Sequence, residues 1–217
     1  MATSYPHSEL ERRRVGPFAR AQAWVIASLS RGHAKRVDAR RRALIEPLRG
    51  RVLEIGPGSG TNLALFDPAV DWVGAEPSAA MRAMLLQEAA RLARAIELLD
   101  DPAEALSLPD ASVDAVVSTL VLCSVTDPRT AIAEVRRVLR PGGTFVFIEH
   151  VAAPPGSLLR RVQRAVRGPW SLCGGGCHPD RETWRDVEQA GFASVAIDRF
   201  RLPVPVVSPH MSGSARR

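Results

Sequence analysis

The sequence predicts an α/β protein built on a doubly wound, mainly parallel sheet. The first observation behind this prediction is a regular alternation of short apolar runs with amphipathic segments from Arg51 to Ile148. The second is a glycine-rich turn, Gly56 to Gly60, directly after the first apolar run. Such a turn lets the backbone approach a ligand where a strand leads into the next element. The site is therefore expected at the carboxyl ends of the strands.

Apolar periodicity and turn residues predict seven strands and six helices. The predicted strands are 52–55, 71–75, 95–99, 113–118, 144–148, 193–201 and 204–211. The predicted helices are 17–30, 33–46, 78–94, 128–139, 158–167 and 180–190, with Gly32 separating the first two. The last two strands are expected to form an antiparallel hairpin at the edge of the sheet. Residues 1–50 then form an N-terminal helical lid or extension, and residues 51–217 form the ligand-binding domain.

The composition is that of one globular domain: 217 residues, 46% hydrophobic and 24% charged. The formal charge of +6 is almost entirely arginine, with Lys35 as the only lysine. So complete a preference for arginine over lysine is typical of a bias in coding composition. The positive charge is therefore not taken as a sign of nucleic-acid binding, and no nucleic-acid partner is predicted. The basic runs are Arg12–Arg14, Lys35-Arg36 and Arg40–Arg42. They are interpreted as a solvated helix face, with weak contact to an anionic membrane surface as the alternative. No pattern indicates an oligomeric state.

Three cysteines do not make the disulfide framework of a secreted protein. The N-terminus lacks a signal-peptide pattern, and the apolar run Ala21–Leu29 is too short to cross a bilayer. We therefore expect a cytoplasmic protein. The group Cys173, Cys177 and His178 suggests a metal site but lacks the fourth ligand of a structural zinc, so no metal centre is expected. Cys123 is interpreted as a small buried hydrophobe.

The glycine-rich turn carries the most specific signal for a cofactor. Its spacing is G-x-G-x-G, preceded by Glu54, whereas dinucleotide sites use G-x-G-x-x-G. A carboxylate beside the turn repels a pyrophosphate and favours the cationic S-adenosylmethionine. Glu76 stands at the end of the second predicted strand, twenty positions after Gly56, where a carboxylate can accept both ribose hydroxyls.

These motifs, with Leu108–Asp114 and Val138–Gly143, resemble the ordered motifs of class I S-adenosylmethionine-dependent methyltransferases, which have a Rossmann-like fold. The resemblance covers about 100 residues and implies a role for each matching position. It places Glu54, Gly56, Gly58, Gly60, Asn62 and Thr119 around the methionine portion, Glu76 at the ribose, Pro77 near the adenine, and Asp101 and Ala103 at the adenine edge. One departure is that Asp101-Pro102-Ala103-Glu104 replaces the usual Gly-Asp-Ala-Glu, and Pro102 cannot donate a backbone N–H.

A narrower resemblance covers the second half, through Thr119–Val125, Glu149–Val151, Arg181–Trp184 and Ser208–His210. These segments resemble the branch that includes membrane-associated thiol S-methyltransferases. A small-molecule thiol acceptor is therefore the expected substrate. A phospholipid or natural-product O- or N-methyltransferase is the alternative, and a catalytically idle cofactor-binding scaffold is the alternative of another class. His150, just past the fifth strand, is the first candidate for a general base, and His210 is the second.

Overall fold

The computed structural model describes residues 16–217, which form six α-helices around one seven-stranded sheet. The helices are α1 (Pro17–Arg36), α2 (Asp38–Ile45), α3 (Ala79–Arg91), α4 (Pro128–Val138), α5 (Leu158–Cys173) and α6 (Thr183–Gln189). The strands are β1 (Arg51–Ile55), β2 (Asp71–Ala75), β3 (Glu97–Leu99), β4 (Val113–Thr119), β5 (Leu139–His150), β6 (Ser194–Arg201) and β7 (Pro209–Arg216).

The sheet has the strand order β3-β2-β1-β4-β5-β7-β6. Strands β1 to β5 run parallel, and β7 lies antiparallel between β5 and β6. Successive crossovers proceed in opposite directions on either side of the β1–β4 pair, so the loops after these two strands separate and leave a crevice. The predicted doubly wound, mainly parallel sheet with an antiparallel C-terminal hairpin is confirmed.

The central strands are apolar because helices cover both faces of the sheet. Leu53, Ile55 and Val116 are fully buried in one core cluster, whereas Val52 and Trp72 belong to the cluster on the other face. The polar residues at the ends of these strands are therefore the ones that indicate a functional site. Burying them has a free-energy cost unless each finds a partner.

The first helix is longer than predicted. The predicted break at Gly32 is wrong, because α1 continues through this glycine and the chain turns instead at Val37. A single glycine inside a helix costs only about 1 kcal/mol, which packing can offset. Val37 is 2% exposed and leads directly into α2. The continuation keeps His33 on the same helix as Ala23 and Ala27, which pack against α3.

The last strand is also displaced from its prediction. The strand was predicted at 204–211, but β7 is Pro209–Arg216, in a stretch of small and polar residues. At Gly213 the two strands of the hairpin lie so close that a Cβ would be 2.0 Å from the Ala196 carbonyl oxygen on β6, so this position requires glycine. The segment before β7 contains Val206 at a φ of 63°, which no strand accepts. Helix α5 likewise passes the predicted end at Arg167 and runs through Pro169.

The arginines of one basic run have different environments in the folded chain. Arg41 is 5% exposed, and Arg40 pairs with Asp198 and stacks on the Phe200 ring, 4.0 Å from its centroid. Arg42 alone of the three forms exposed pairs on its own helix. The run Arg12–Arg14 lies outside the described residues. Between residues 16 and 217, no helix has the length and apolar character needed to cross a membrane.

Candidate active site

A cavity of about 480 Å³ opens at the carboxyl ends of β1, β2 and β4. Its walls are the glycine-rich turn after β1, the segments 75–78, 102–104 and 119–126, and one face of α1. The α1 residues that line it repeat every three or four positions, from Ala19 to Ala34. The crevice created by the strand order is thus closed on one side by the first helix.

A buried hydrogen-bond network holds the floor of this cavity. Glu54, 2% exposed at the end of β1, accepts bonds from Asn62 Nδ2 at 2.7 Å and from Trp72 Nε1 at 3.2 Å. Asn62 Nδ2 also donates to Thr119 Oγ1 at 3.1 Å. Its amide oxygen accepts from Arg41 Nε at 2.8 Å, which fixes the orientation of the amide. The network joins β1, β4 and α2 around a single carboxylate.

Burial raises the pKa of Glu54 to about 7, while the donors Asn62 and Trp72 and the charge of Arg41 act in the opposite direction. The group is therefore poised to change charge near neutral pH. A cation in the cavity favours the carboxylate form. Glu54 thus supplies the negative charge that a cationic ligand needs, and ligand binding is coupled to loss of its proton.

Glu76 forms a second buried anchor at the end of β2. Its Oε2 accepts from the Gly58 N–H at 3.0 Å, and its Oε1 accepts from the Ser78 N–H at 2.9 Å. Desolvation raises its pKa, and these two backbone bonds act in the opposite direction. The carboxylate lines the cavity between the glycine turn and α3. This position suits a ligand that presents a pair of hydroxyl groups.

The glycines of the turn have different functions. Gly58 has a φ of +56°, and a Cβ there would meet nothing within 4 Å, so the turn leaves space beside its backbone on the cavity wall. Gly60, at a φ of +82°, lies against helix α3, where a Cβ would approach Leu85 to 2.8 Å. It is not among the residues that line the cavity. Gly58 thus leaves room for a ligand, whereas Gly60 allows the helix to pack closely.

Most of the predicted cofactor residues meet at this cavity. Glu54, Gly56, Gly58, Asn62, Glu76, Pro77, Ala103 and Thr119 all line it. Asp101 does not, because its carboxylate accepts 2.6 Å bonds from the backbone and side chain of Ser107. Glu104 is the acidic residue of this segment that lines the cavity, and its carboxylate accepts from the Thr126 N–H at 2.6 Å.

The candidate bases are arranged differently from the prediction. His150 does not line the cavity, and its Nε2 lies 3.0 Å from Cys177 Sγ. His33 on α1 does line it, and its Nε2 lies 3.0 Å from His210 Nε2. His210 is 1% exposed, with its Nδ1 3.0 Å from the Ser208 carbonyl oxygen. The geometry therefore favours His33, supported by His210, over His150 as the histidine that meets a substrate.

The predicted grouping of Cys173, Cys177 and His178 does not form. Cys173 is exposed, and His178 Nδ1 lies 3.2 Å from Arg167 Nε. Cys177 instead joins His150 and the buried Cys123, which come from distant parts of the chain. The group that the fold assembles therefore has different members from the one considered in the sequence, and it too consists of three residues.

Other polar residues of the site were missed in the sequence. Glu149, fully buried at the end of β5, accepts from Ser118 Oγ at 2.7 Å and from the Val121 N–H at 3.1 Å, which holds the cavity wall after β4. Arg41 carried a usable signal, because it lies on the helical stripe of Val37 and Ile45, both buried. His33 carried none while the helix was expected to break at Gly32.

Comparisons with known proteins agree with this geometry. The methyltransferase domain family matches residues 53–147. The chain is 35% identical to the thiol S-methyltransferase TMT1B of Rattus norvegicus over 88% of this chain and 84% of that protein. It is 33% identical to the human thiol S-methyltransferase TMT1A over 76% of this chain and 69% of that protein. The fold is shared with a crystal structure of a SAM-dependent methyltransferase from Thermotoga maritima, described as a possible histamine N-methyltransferase. The TM-score is 0.58 and the sequence identity 20%, and the match covers 89% of this chain and 99% of that one.

Replacing Arg41 is expected to destabilise the protein and weaken ligand binding together. Arg41→Leu leaves the Asn62 amide oxygen and the Thr61 carbonyl without their charged donor. Hydrogen bonds to charged groups contribute roughly 1.5–3 kcal/mol each, so the free energy of unfolding should fall by about 2 kcal/mol or more. Urea denaturation measures this change, and calorimetry with S-adenosylmethionine should show at least about tenfold weaker binding.

Arg42→Leu is the matched control on the same helix. Arg42 is 53% exposed and pairs only with Asp38 and Glu46 on its own helix. Its removal should change stability by no more than about 0.5 kcal/mol. Equal effects of the two substitutions would show that Arg41 contributes only surface charge.

Proposed function

This chain belongs to the class I S-adenosylmethionine-dependent methyltransferases, and from that premise we propose that it transfers the methyl group to the sulfur of a small thiol. S-Adenosylmethionine supplies an electrophilic methyl carbon on a positively charged sulfur. The observation that carries the choice of acceptor is the hydrogen-bonded pair His33 and His210 at the cavity. The thiol S-methyltransferases that match most of the chain support the same choice.

The cavity floor supplies what the methyl donor requires. In this proposal Glu54 faces the cationic methionine portion, Glu76 accepts from the ribose hydroxyls, and Pro77 and Ala103 contact the adenine. The free space beside Gly58 accommodates the ligand next to the backbone. Because methyl transfer disperses charge rather than creating it, the chain's main contribution is to hold the acceptor in line with the methyl carbon.

The protonation pattern of the histidine pair follows from its hydrogen bonds. The Ser208 carbonyl can only accept, so His210 Nδ1 donates to it and His210 Nε2 carries the lone pair. His33 Nε2, 3.0 Å from that lone pair, must then be the donor. A neutral His33 therefore keeps its own lone pair on Nδ1. His210 thus holds His33 in the tautomer that can accept a proton at Nδ1.

The pKa values of this pair favour a thiol over an amine. Burial, together with the charge of neighbouring histidines and arginines, lowers the pKa of His33 to about 3, and burial lowers that of His210 to about 4. So weak a base cannot deprotonate an alkylammonium group, whose pKa is about 10. A thiol is already a few per cent ionised near pH 7, and its remaining S–H becomes strongly acidic as the sulfur bonds to methyl. His33 is suited to accept only such a proton.

Helix α1 forms the apolar side of the acceptor space in this proposal. Ala23 and Ile26 line the cavity opposite Val121 and Val125, so the space favours an apolar group beside the reacting sulfur. The helix would then act as a lid over the acceptor. An anionic membrane contact of the basic N-terminal region remains a secondary proposal, because Arg40 and Arg41 are already engaged within the fold.

Methyl transfer to three matched acceptors tests the function. A small alkyl thiol, and the alcohol and amine of the same carbon skeleton, are incubated in parallel with S-adenosylmethionine and the full chain. Vesicles containing phosphatidylethanolamine provide a lipid amine. We expect a thioether product with a kcat/KM at least about a hundredfold above that for any other acceptor, because only the thiol ionises without a strong base.

Products identified by mass spectrometry decide among the alternatives. Methylation of the amine or the vesicle lipid in preference to the thiol would contradict the proposed acceptor. Thermal stabilisation by S-adenosylmethionine with no product from any acceptor would indicate the idle scaffold. Glu76→Gln serves as the control with impaired donor binding.

His33→Ala is expected to lower kcat/KM for the thiol about tenfold to a hundredfold at pH 7, with little change in donor affinity. The deficit should shrink as the pH approaches about 8.5, since the thiol then ionises without assistance. Initial rates across pH 6.5–9 measure this dependence. His178→Ala is the matched control, because that histidine lies outside the cavity beside Arg167. A deficit independent of pH would assign His33 to acceptor positioning instead.

A further inference from the structure

Three side chains with high affinity for transition metals meet behind the cavity wall. Cys123 follows β4, His150 ends β5, and Cys177 follows α5. Their candidate ligand atoms all lie within 4.8 Å of one another, and His150 Nε2 is 3.0 Å from Cys177 Sγ. Cys123 is 2% exposed and His150 is 5% exposed. The convergence of three distant segments distinguishes this cluster from two cysteines that share a loop.

The spacing suits one tetrahedral ion. With zinc bonds of about 2.3 Å to sulfur and 2.0–2.1 Å to nitrogen, two ligand atoms lie about 3.5–3.8 Å apart. The His150 Nε2–Cys177 Sγ pair, at 3.0 Å, would open by about half an ångström, and the other pairs, at no more than 4.8 Å, would close by at most about one ångström. Thiolate and imidazole are also the donors that zinc prefers over the carboxylate and carbonyl oxygens chosen by magnesium and calcium.

The contacts around Cys177 suit a metal-bound thiolate. Trp170 Nε1 lies 3.4 Å from Cys177 Sγ, and an indole N–H can only donate, so the sulfur is the acceptor. A metal-bound thiolate accepts such bonds from neighbouring groups. His150 Nδ1 is buried and has no hydrogen-bond partner among the described residues. Nε2, 3.0 Å from Cys177 Sγ, is the nitrogen that would bind the metal, and Nδ1 would keep its buried position without a partner among the described residues.

We propose that Cys123, His150 and Cys177 bind one Zn²⁺ ion, with a fourth coordination position left to water or an exogenous ligand. Sites with three protein ligands and one open position are an established arrangement for zinc. Among residues 16–217, no further histidine, cysteine or carboxylate joins the group. The proposal is independent of the identity of the methyl acceptor.

The ion would hold two parts of the cavity wall together. Ser124, next to Cys123, lines the cavity, as do Gly174 and Gly175 just before Cys177. The two segments already meet where the His178 N–H donates to the Cys123 carbonyl at 2.8 Å. Because glycines 174–176 provide little side-chain packing of their own, a metal bond at Cys177 would fix this wall to the sheet.

Cobalt titration tests the site without reference to activity. The full chain is reduced, treated with a chelator and titrated with Co²⁺ as the spectroscopic probe. We expect saturation at one ion per chain, with intense tetrahedral d–d bands and a thiolate-to-cobalt charge-transfer band. Zn²⁺ should displace the cobalt and raise the Tm, since it binds only the folded state.

Cys173→Ser is the matched control, because it removes an exposed cysteine four residues from Cys177. It should retain the full cobalt spectrum, whereas Cys177→Ser should lose about half of the charge-transfer intensity, because Cys123 remains as a thiolate, and at least about tenfold in affinity. His150→Gln provides a second ligand variant if Cys177→Ser does not fold, with circular dichroism as the check. Absence of a stoichiometric charge-transfer band in the wild type, or equal loss in Cys173→Ser, would overturn the proposal. Peroxide-driven disulfide formation between Cys123 and Cys177 without metal binding would overturn it too.

Discussion

The buried carboxylate of Glu54 is the constraint on which the proposed methyl-donor site depends. A charge at 2% exposure is unfavourable unless its oxygens are hydrogen-bonded, and Asn62 and Trp72 provide those bonds. Asn62 can serve only in one orientation, which Arg41 determines from helix α2. The turn that carries Gly58 follows directly after this carboxylate. The position of the cavity floor is therefore set by a network that links the sheet to the N-terminal helices.

This dependence explains why the N-terminal helices belong to the site. Helix α2 contributes Arg41, which holds Asn62 at the cavity floor, and α1 contributes His33 to the cavity wall. Both residues face inward because α1 continues through Gly32 and the chain turns at Val37. His33 in turn meets His210 at the start of β7, so the antiparallel hairpin supports the same cavity from the opposite side. Helix and hairpin meet at one hydrogen bond between two imidazoles.

Local patterns were sufficient to predict the sheet and the glycine-rich turn at its carboxyl edge, because periodicity and glycine spacing are short-range signals. Glu54 and Glu76 stand at strand ends, where a doubly wound sheet presents its ligand site. The Cys123–His150–Cys177 cluster had no such signal, since its members are separated by at least 27 residues and meet only through tertiary packing. The displacement of β7 has a local cause in the backbone. Val206 has a φ of 63°, which a strand does not accept, so the segment before Pro209 turns and the strand begins later.

The pH dependence of S-adenosylmethionine binding tests the central function of Glu54 most directly. Its pKa of about 7 is set by burial, and a bound cation should lower it, so the affinity should rise about fivefold from pH 6 to pH 7. Above pH 7 the further rise should be no more than about twofold, because half of the carboxylate is already ionised at pH 7. Calorimetric titrations of the wild type and of Glu54→Gln separate this effect from ionisation of the ligand itself. The Gln variant should bind more weakly, without the rise between pH 6 and pH 7. A wild-type affinity that does not change over that interval, or an identical rise in Glu54→Gln, would contradict the account.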